Sequence, residues 1–236
     1  MNKQEAIEEL TRAQEWFKQK TYELAESAGI MRSDLWPMPD GVYDIEAYLS
    51  SLRVMWVLKE PYDDFVDGKP CGGGWDVYGA FDNSDAWANR TWQPIIYSMY
   101  GVFNHLRWRD MDYIRDNPDM VNVLKRIAYI NLSKMPAHKQ TNDAKLWEYY
   151  DIWRPILLQQ IEAYAPHVVI FGNTFKYFKK DLVGLHREPD RTFENNAFAI
   201  YRKNMHLFID TYHPNQKTIP RGMYVDNIIG IINDFA

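Results

Sequence analysis

Polar side chains that could do chemistry follow four short, mostly apolar segments of the chain, at 54–58, 127–130, 168–171 and 207–210. Glu60, Asn131 and His213 each stand shortly after the end of such a segment. A carboxylate can stabilise positive charge, and a histidine can donate a hydrogen bond to developing negative charge. An amide offers a donor and an acceptor together. If the segments are parallel strands, these groups meet at one edge, because ligands of open α/β sheets bind beyond the carboxyl ends of the strands.

The segments themselves favour such a sheet. Val54-Met55-Trp56-Val57-Leu58 is apolar at every position, which is typical of a strand buried on both faces. Residues 197–201 and 207–210 flank Arg202-Lys203-Asn204 and predict a hairpin. Apolar residues at helical spacing predict a helix over 3–27. Further helices are predicted over 44–51, 91–107, 143–164, 174–180 and 219–235. Pro155 predicts a kink in the helix over 143–164, or its division into two helices.

Strands that alternate with helices predict a mainly parallel sheet with helices on both faces. We find no internal repeat or linker, so we expect one domain over 1–236, with a helical extension at about 1–50. The Gly-rich, aromatic segment 59–90 is too long for an ordinary connection and indicates a functional loop.

Composition excludes several function classes. The 27 Lys and Arg against 32 Asp and Glu give a net charge of −5, which excludes a strongly basic coat protein but allows a local basic groove. The single cysteine, Cys71, cannot form an internal disulfide or hold an iron–sulfur cluster. No Gly-rich phosphate loop indicates binding of ATP or NAD, and we expect no cofactor.

We found no signal peptide and no apolar run long enough for a membrane helix, so we expect a cytoplasmic monomer without membrane contact.

Four strand-end pieces resemble one superfamily. Leu58-Lys59-Glu60-Pro61-Tyr62-Asp63 is similar to the first motif of uracil-DNA glycosylases, G-Q-D-P-Y-H. Ile130-Asn131-Leu132-Ser133-Lys134-Met135-Pro136 resembles the N-x-x-K-x-x-P segment of its iron–sulfur branch. Val168-Val169-Ile170-Phe171-Gly172 resembles the third strand, and His213-Pro214-Asn215-Gln216 the H-P-S motif. The resemblance covers about 50–230 and implies a uracil-DNA glycosylase-like, three-layer α/β/α fold with a central, mainly parallel four-stranded sheet.

The resemblance implies roles for particular residues. Glu60 takes the place of the Asp that positions water and stabilises the sugar cation, and His213 that of the His that stabilises the departing base. Asn131 takes the place of the Asn that binds the uracil edge, and Tyr62 that of the Tyr that guards the base pocket. A stacking aromatic is expected from Trp75, Tyr78 or Phe81. Contacts to the DNA backbone, single- or double-stranded, are expected from Lys59, Ser133, Lys134, Asn215, Gln216 and Lys217.

Two other functions stay open. Leu58 and Lys59 stand where the superfamily has Gly and Gln, which suggests a protein of this fold that binds a nucleic acid or nucleotide without cleaving it. The carboxylates of the segment 60–67, together with His213, could instead serve a metal-assisted hydrolase. A bound metal would separate this last function from the other two, neither of which needs an ion.

Overall fold

The structure is a computed structural model that describes residues 2–31, 36–62, 65–67, 69–70, 88–137 and 141–235. Its helices are α1 (Lys3–Ser27), α2 (Ile45–Leu49), α3 (Trp92–Asn104), α4 (Asp143–Tyr164), α5 (Phe175–Leu182) and α6 (Arg221–Asn233). Two 3-10 helices cover Trp108–Asp110 and Pro118–Arg126. Its strands are β1 (Gly41–Val42), β2 (Val54–Leu58), β3 (Phe65–Val66), β4 (Lys69–Pro70), β5 (Ala128–Asn131), β6 (Val168–Gly172), β7 (Arg191–Phe193), β8 (Phe198–Lys203) and β9 (His206–Thr211).

The main sheet has seven strands in the order β1-β5-β2-β6-β9-β8-β7, with β3 and β4 paired separately. Strands β5, β2, β6 and β9 are parallel to one another, whereas β1, β8 and β7 pair antiparallel with their neighbours. The prediction of four strands is therefore wrong as a count of the whole sheet. Strands β1 and β7 are only two and three residues long, too short to produce a hydrophobic pattern in the sequence.

Helices cover both faces of this sheet, so the molecule has three layers. Trp56 and Leu58 of β2 belong to a core cluster with buried residues of α3 and α6. Met55 and Val57, which point the other way, belong to a second cluster with α1, α4 and α5. Because successive side chains of a strand alternate between faces, the unbroken apolar run of β2 is what a strand between two helical layers requires.

The predicted helices agree closely with the observed ones, and their ends have local causes. Asn2 caps α1 by accepting a hydrogen bond from the backbone N–H of Glu5, whose carboxylate accepts one from Asn2 in return. Helix α4 continues through Pro155, so the alternative of two separate helices is wrong. None of the described helices is long and apolar enough to cross a membrane.

The predicted hairpin is strands β8 and β9, which pair from Phe198↔Thr211 to Lys203↔His206. Asn204 turns the chain with a φ of 55°, in the left-handed region that Asn tolerates better than most residues. On its other side, β9 pairs in parallel with β6. The hairpin therefore places β9, the strand that leads to His213, between β6 and β8 inside the sheet.

Candidate functional site at the carboxyl edge of the sheet

Backbone hydrogen bonds continue beyond the ends of β2 and β5 and align the two segments that follow them. The N–H groups of Leu132 and Ser133 donate to the carbonyls of Leu58 and Lys59, both at 2.8 Å. Further on, Ala137 donates to Pro61, also at 2.8 Å. Because the parallel strands end together, these hydrogen bonds align the segment that contains Glu60 with the segment that follows Asn131 at the carboxyl edge.

Glu60 lies between interior and solvent, with one carboxyl oxygen fully buried. Among the described residues, this oxygen, Oε1, has no hydrogen-bond partner. Burial raises the pKa of Glu60, although a hydrogen bond with Thr141 and the positive charge of Lys59 act in the opposite direction. Buried polar atoms are nearly always paired, so an unpaired buried carboxyl oxygen at the edge of the sheet is a candidate functional group.

Lys59, the neighbour of Glu60 in the chain, is linked to helices α4 and α5 through Asp143. Its Nζ donates to Oδ1 of Asp143 at 2.8 Å, and Nζ of Lys176 lies 3.4 Å from the other oxygen, Oδ2. The hydrogen bond and charge of Lys59, together with Lys176, hold the pKa of Asp143 below its usual range despite some burial. Two lysines thus share the carboxylate of Asp143, and an ionised Glu60 beside them balances the remaining positive charge.

His213 follows β9 and is held as a neutral imidazole. Its Nδ1 accepts a hydrogen bond from the backbone N–H of Asn215 at 3.2 Å, which places the ring proton on Nε2. Burial, together with the positive charge of Lys59, lowers the pKa of His213 to about 4. At neutral pH the side chain is therefore an uncharged donor through Nε2.

Asn131 is a buried polar residue at the end of β5. Only 2% of its surface is exposed. Its Oδ1 accepts a hydrogen bond from the Tyr129 hydroxyl at 3.1 Å, and its backbone N–H donates to Oδ2 of Asp40 at 2.6 Å. One of the two hydrogen bonds that its amide oxygen can accept is thus made within the protein.

Lys134 does not fit the prediction of a contact to the DNA backbone. The side chain is fully buried, and its Nζ donates to Asp40 at 2.5 Å and to Gln160 at 2.9 Å. Burial lowers the pKa of Lys134 and raises that of Asp40, while their mutual attraction opposes both changes. The nearby Ser133 is also buried, and its hydroxyl bonds the backbone of Met135.

The other predicted residues are spread over the same edge. Tyr62 is 49% exposed, and its hydroxyl lies 3.3 Å from that of Thr141. Gln216 holds the loop before α6 through the backbone of Thr218 and Ile219. Asn215 and Lys217 are exposed. Trp75, Tyr78 and Phe81 lie outside the described residues.

Sequence reasoning missed Asp143 and Asp210. Asp143 occupies the first turn of α4, where an acidic residue reads as an ordinary helix-start signal. Asp210 interrupts the apolar run of β9, on the face of the strand that carries Phe208. A charged residue within an otherwise apolar strand is a feature of the sequence that could have identified it as a candidate. Burial raises the pKa of Asp210 to about 6, although Lys179 and Lys176 act against this.

The carboxylates proposed for a metal site are only partly covered. Asp63 and Asp64 lie outside the described residues, and Asp67 is exposed with a φ of 51°. Within the part of the chain that the structure describes, no three His, Cys, Asp or Glu side chains form a group able to hold a metal ion.

Comparison with known protein families and with curated proteins finds no match.

Proposed function

We propose that this protein cleaves the N-glycosidic bond of a uracil-type or other damaged base in DNA, as a divergent member of the uracil-DNA glycosylase-like superfamily. The proposal rests on the pairing of a carboxylate with a neutral histidine at one edge of the sheet. At the carboxyl edge, Glu60 keeps a buried oxygen without a partner among the described residues, and His213 is held as a neutral donor. Lys59 influences the pKa of both groups, so all three side chains belong to one electrostatic environment.

The two groups match the charges that this reaction creates. As the bond to the base breaks, positive charge develops on the sugar and negative charge on the base. An ionised Glu60 stabilises the sugar cation until water adds to it, and the Nε2–H of His213 donates to the departing base. A base in a duplex must first leave the stack to reach such a site.

Leu58 does not obstruct this chemistry. Only 2% of the side chain is exposed, because it packs against Gly172 at the end of β6. The leucine that replaces the superfamily's glycine is therefore turned into the core, which leaves Glu60 at the edge.

The first test uses labelled oligonucleotides that carry uracil, hypoxanthine, xanthine or mismatched thymine, single- and double-stranded, with and without chelator. Alkali then reveals abasic sites. We expect chelator-insensitive cleavage at one base, and a loss of about 100-fold or more in rate in both Glu60→Gln and His213→Ala. The exposed residues Glu15 and His186 provide matched controls, Glu15→Gln and His186→Ala, which should cleave like the wild type. Wild-type rates in Glu60→Gln and His213→Ala would refute the assignment.

Lys59 favours a second function, binding of a base without cleavage. A positive charge beside Glu60 opposes the development of positive charge on a sugar, although Asp143 offsets part of it. In the same experiment, base-dependent binding of an oligonucleotide without abasic sites would favour this second function over the first.

A further inference from the structure

An exposed tryptophan adjoins the candidate site. Trp147 lies in the second turn of α4 and exposes 47% of its surface. Its ring centroid is 4.5 Å from that of Tyr177, which is 2% exposed and belongs to the core between α4, α5 and the sheet. Because Tyr177 holds the indole in place, a planar ligand could stack on it without first ordering a mobile side chain.

A short series of contacts joins this tryptophan to Glu60. The hydroxyl of Tyr177 donates to the backbone carbonyl of Asp143 at 3.4 Å. The carboxylate of Asp143 in turn accepts from Lys59, the residue that precedes Glu60. Trp147 therefore belongs to the surface that surrounds the candidate site.

Positive charge accompanies the aromatic rings. Nζ of Lys176 lies 5.1 Å from the centroid of the Tyr177 ring, and 46% of the lysine side chain is exposed. Lys179 and Lys180 follow on the same short helix. An aromatic face with a lysine beside it is the combination by which proteins hold unpaired nucleotides, because the ring stacks on a base and the cation attracts a phosphate.

We infer that Trp147, supported by Tyr177 and flanked by Lys176, is a stacking platform for an unpaired base that neighbours the base held at the candidate site. The inference rests on the proposed function, and it adds a substrate class, single-stranded nucleic acid. Stacking tolerates any base, so the platform confers a preference for unpaired strands rather than for a sequence.

Helix α1 offers a matched control. Trp16 is 44% exposed and has Lys18 as a neighbour, but it lies beside Gln159 and Glu162. From Trp147 to that end of α4 is roughly 20 Å at 1.5 Å per residue. The two tryptophans thus share exposure and a nearby lysine and differ in their distance from the site.

The test measures binding of an unmodified fluorescent oligothymidylate by anisotropy, with a duplex of equal length for comparison. We expect the wild type to prefer the single strand, Trp147→Ala to lose at least about fivefold in affinity, and Trp147→Phe to retain most of it. Trp16→Ala should bind like the wild type. Unchanged binding by Trp147→Ala, an equal loss in Trp16→Ala, or absence of wild-type binding would each overturn the inference.

Salt dependence tests the role of Lys176 separately. Loss of one phosphate contact on a single strand should reduce the slope of log affinity against log salt by about 0.7. We expect this reduction in Lys176→Met and not in Lys18→Met, and equal slopes in all three proteins would refute the role of Lys176.

These results are independent of those for base excision. Excision that depends on Glu60 together with Trp147-independent binding would refute the platform alone. Trp147-dependent binding without excision of any base would refute the proposed cleavage and keep the platform.

Discussion

At the scale of single residues, the site depends on the balance between burial and the charge of Lys59. Burial opposes ionisation of both Glu60 and His213, whereas Lys59 favours the ionised form of Glu60 and the neutral form of His213. Both effects of the lysine favour the protonation states that the proposed chemistry requires.

This balance predicts the titration of His213. Its imidazole should titrate with a midpoint of about 4, and Lys59→Met should move the midpoint upward, because a nearby positive charge no longer disfavours the imidazolium. The same substitution should raise the pKa of Glu60, so any activity that needs the carboxylate would be lost at a higher pH as the solution is acidified.

NMR of the histidine ring protons measures the midpoint directly, with the His213 signal assigned from its absence in His213→Gln. Lys18→Met removes the same charge from helix α1 and should leave the midpoint unchanged. A wild-type midpoint at the usual value of about 6.5 would contradict the prediction.

At the scale of elements, the site depends on how closely β2 and β6 approach at their carboxyl ends. The side chain of Leu58 fills the space next to Gly172, where a Cβ would overlap Cδ2 of Leu58 and lie 3.0 Å from Cδ of Pro214. The glycine thus accommodates the leucine at the end of β2 and the segment that carries His213.

Gly172→Ala should therefore destabilise the protein by about 1–3 kcal/mol through overpacking. In a Leu58→Ala background, where the space is empty, the same change should cost less, so a double-mutant cycle measured by urea unfolding should show coupling. Gly230→Ala is a suitable control, because its Cβ would meet only the flexible side chain of Arg107 and alanine favours a helix. Equal costs in both backgrounds would show that Leu58 does not determine the requirement for glycine.

At the scale of the whole molecule, a buried ion pair connects parts of the chain that are far apart in sequence. Asp40 accepts hydrogen bonds from Lys134, from the backbone of Asn131 and from Gln160 of helix α4. This network joins the segment before β1, the segment after β5 and the helical layer behind them. It also holds the backbone of Asn131 at the edge of the site.

Asp40→Asn should be strongly destabilising, by about 3–5 kcal/mol, because it leaves the Lys134 ammonium buried without its counter-charge. Such a loss is a large part of the stability of an ordinary domain. Urea unfolding at neutral pH measures it, with the exposed Asp112 changed to Asn as the control for the loss of one negative charge. A cost below about 1 kcal/mol would mean that the pair contributes little to folding.

The sequence by itself determined the six helices and the five longest strands. The apolar run of β2, the helical spacing in α1 and the position of the β8–β9 hairpin could be recognised, because the spacing of apolar residues along an element depends on whether it is covered on one side or on two. The same patterns indicated that Glu60 and His213 follow strands that end at one edge of the sheet.

Only the tertiary structure decided which groups meet across that edge. Lys134 reads from its sequence neighbours as a surface cation, but it is buried because Asp40 and Gln160, far away in the chain, supply its partners. Likewise, Asp143 joins the site through Lys59, and Asn131 is directed inward by Tyr129. Charge pairing and burial depend on neighbours brought together by folding, whereas local sequence patterns describe one element at a time.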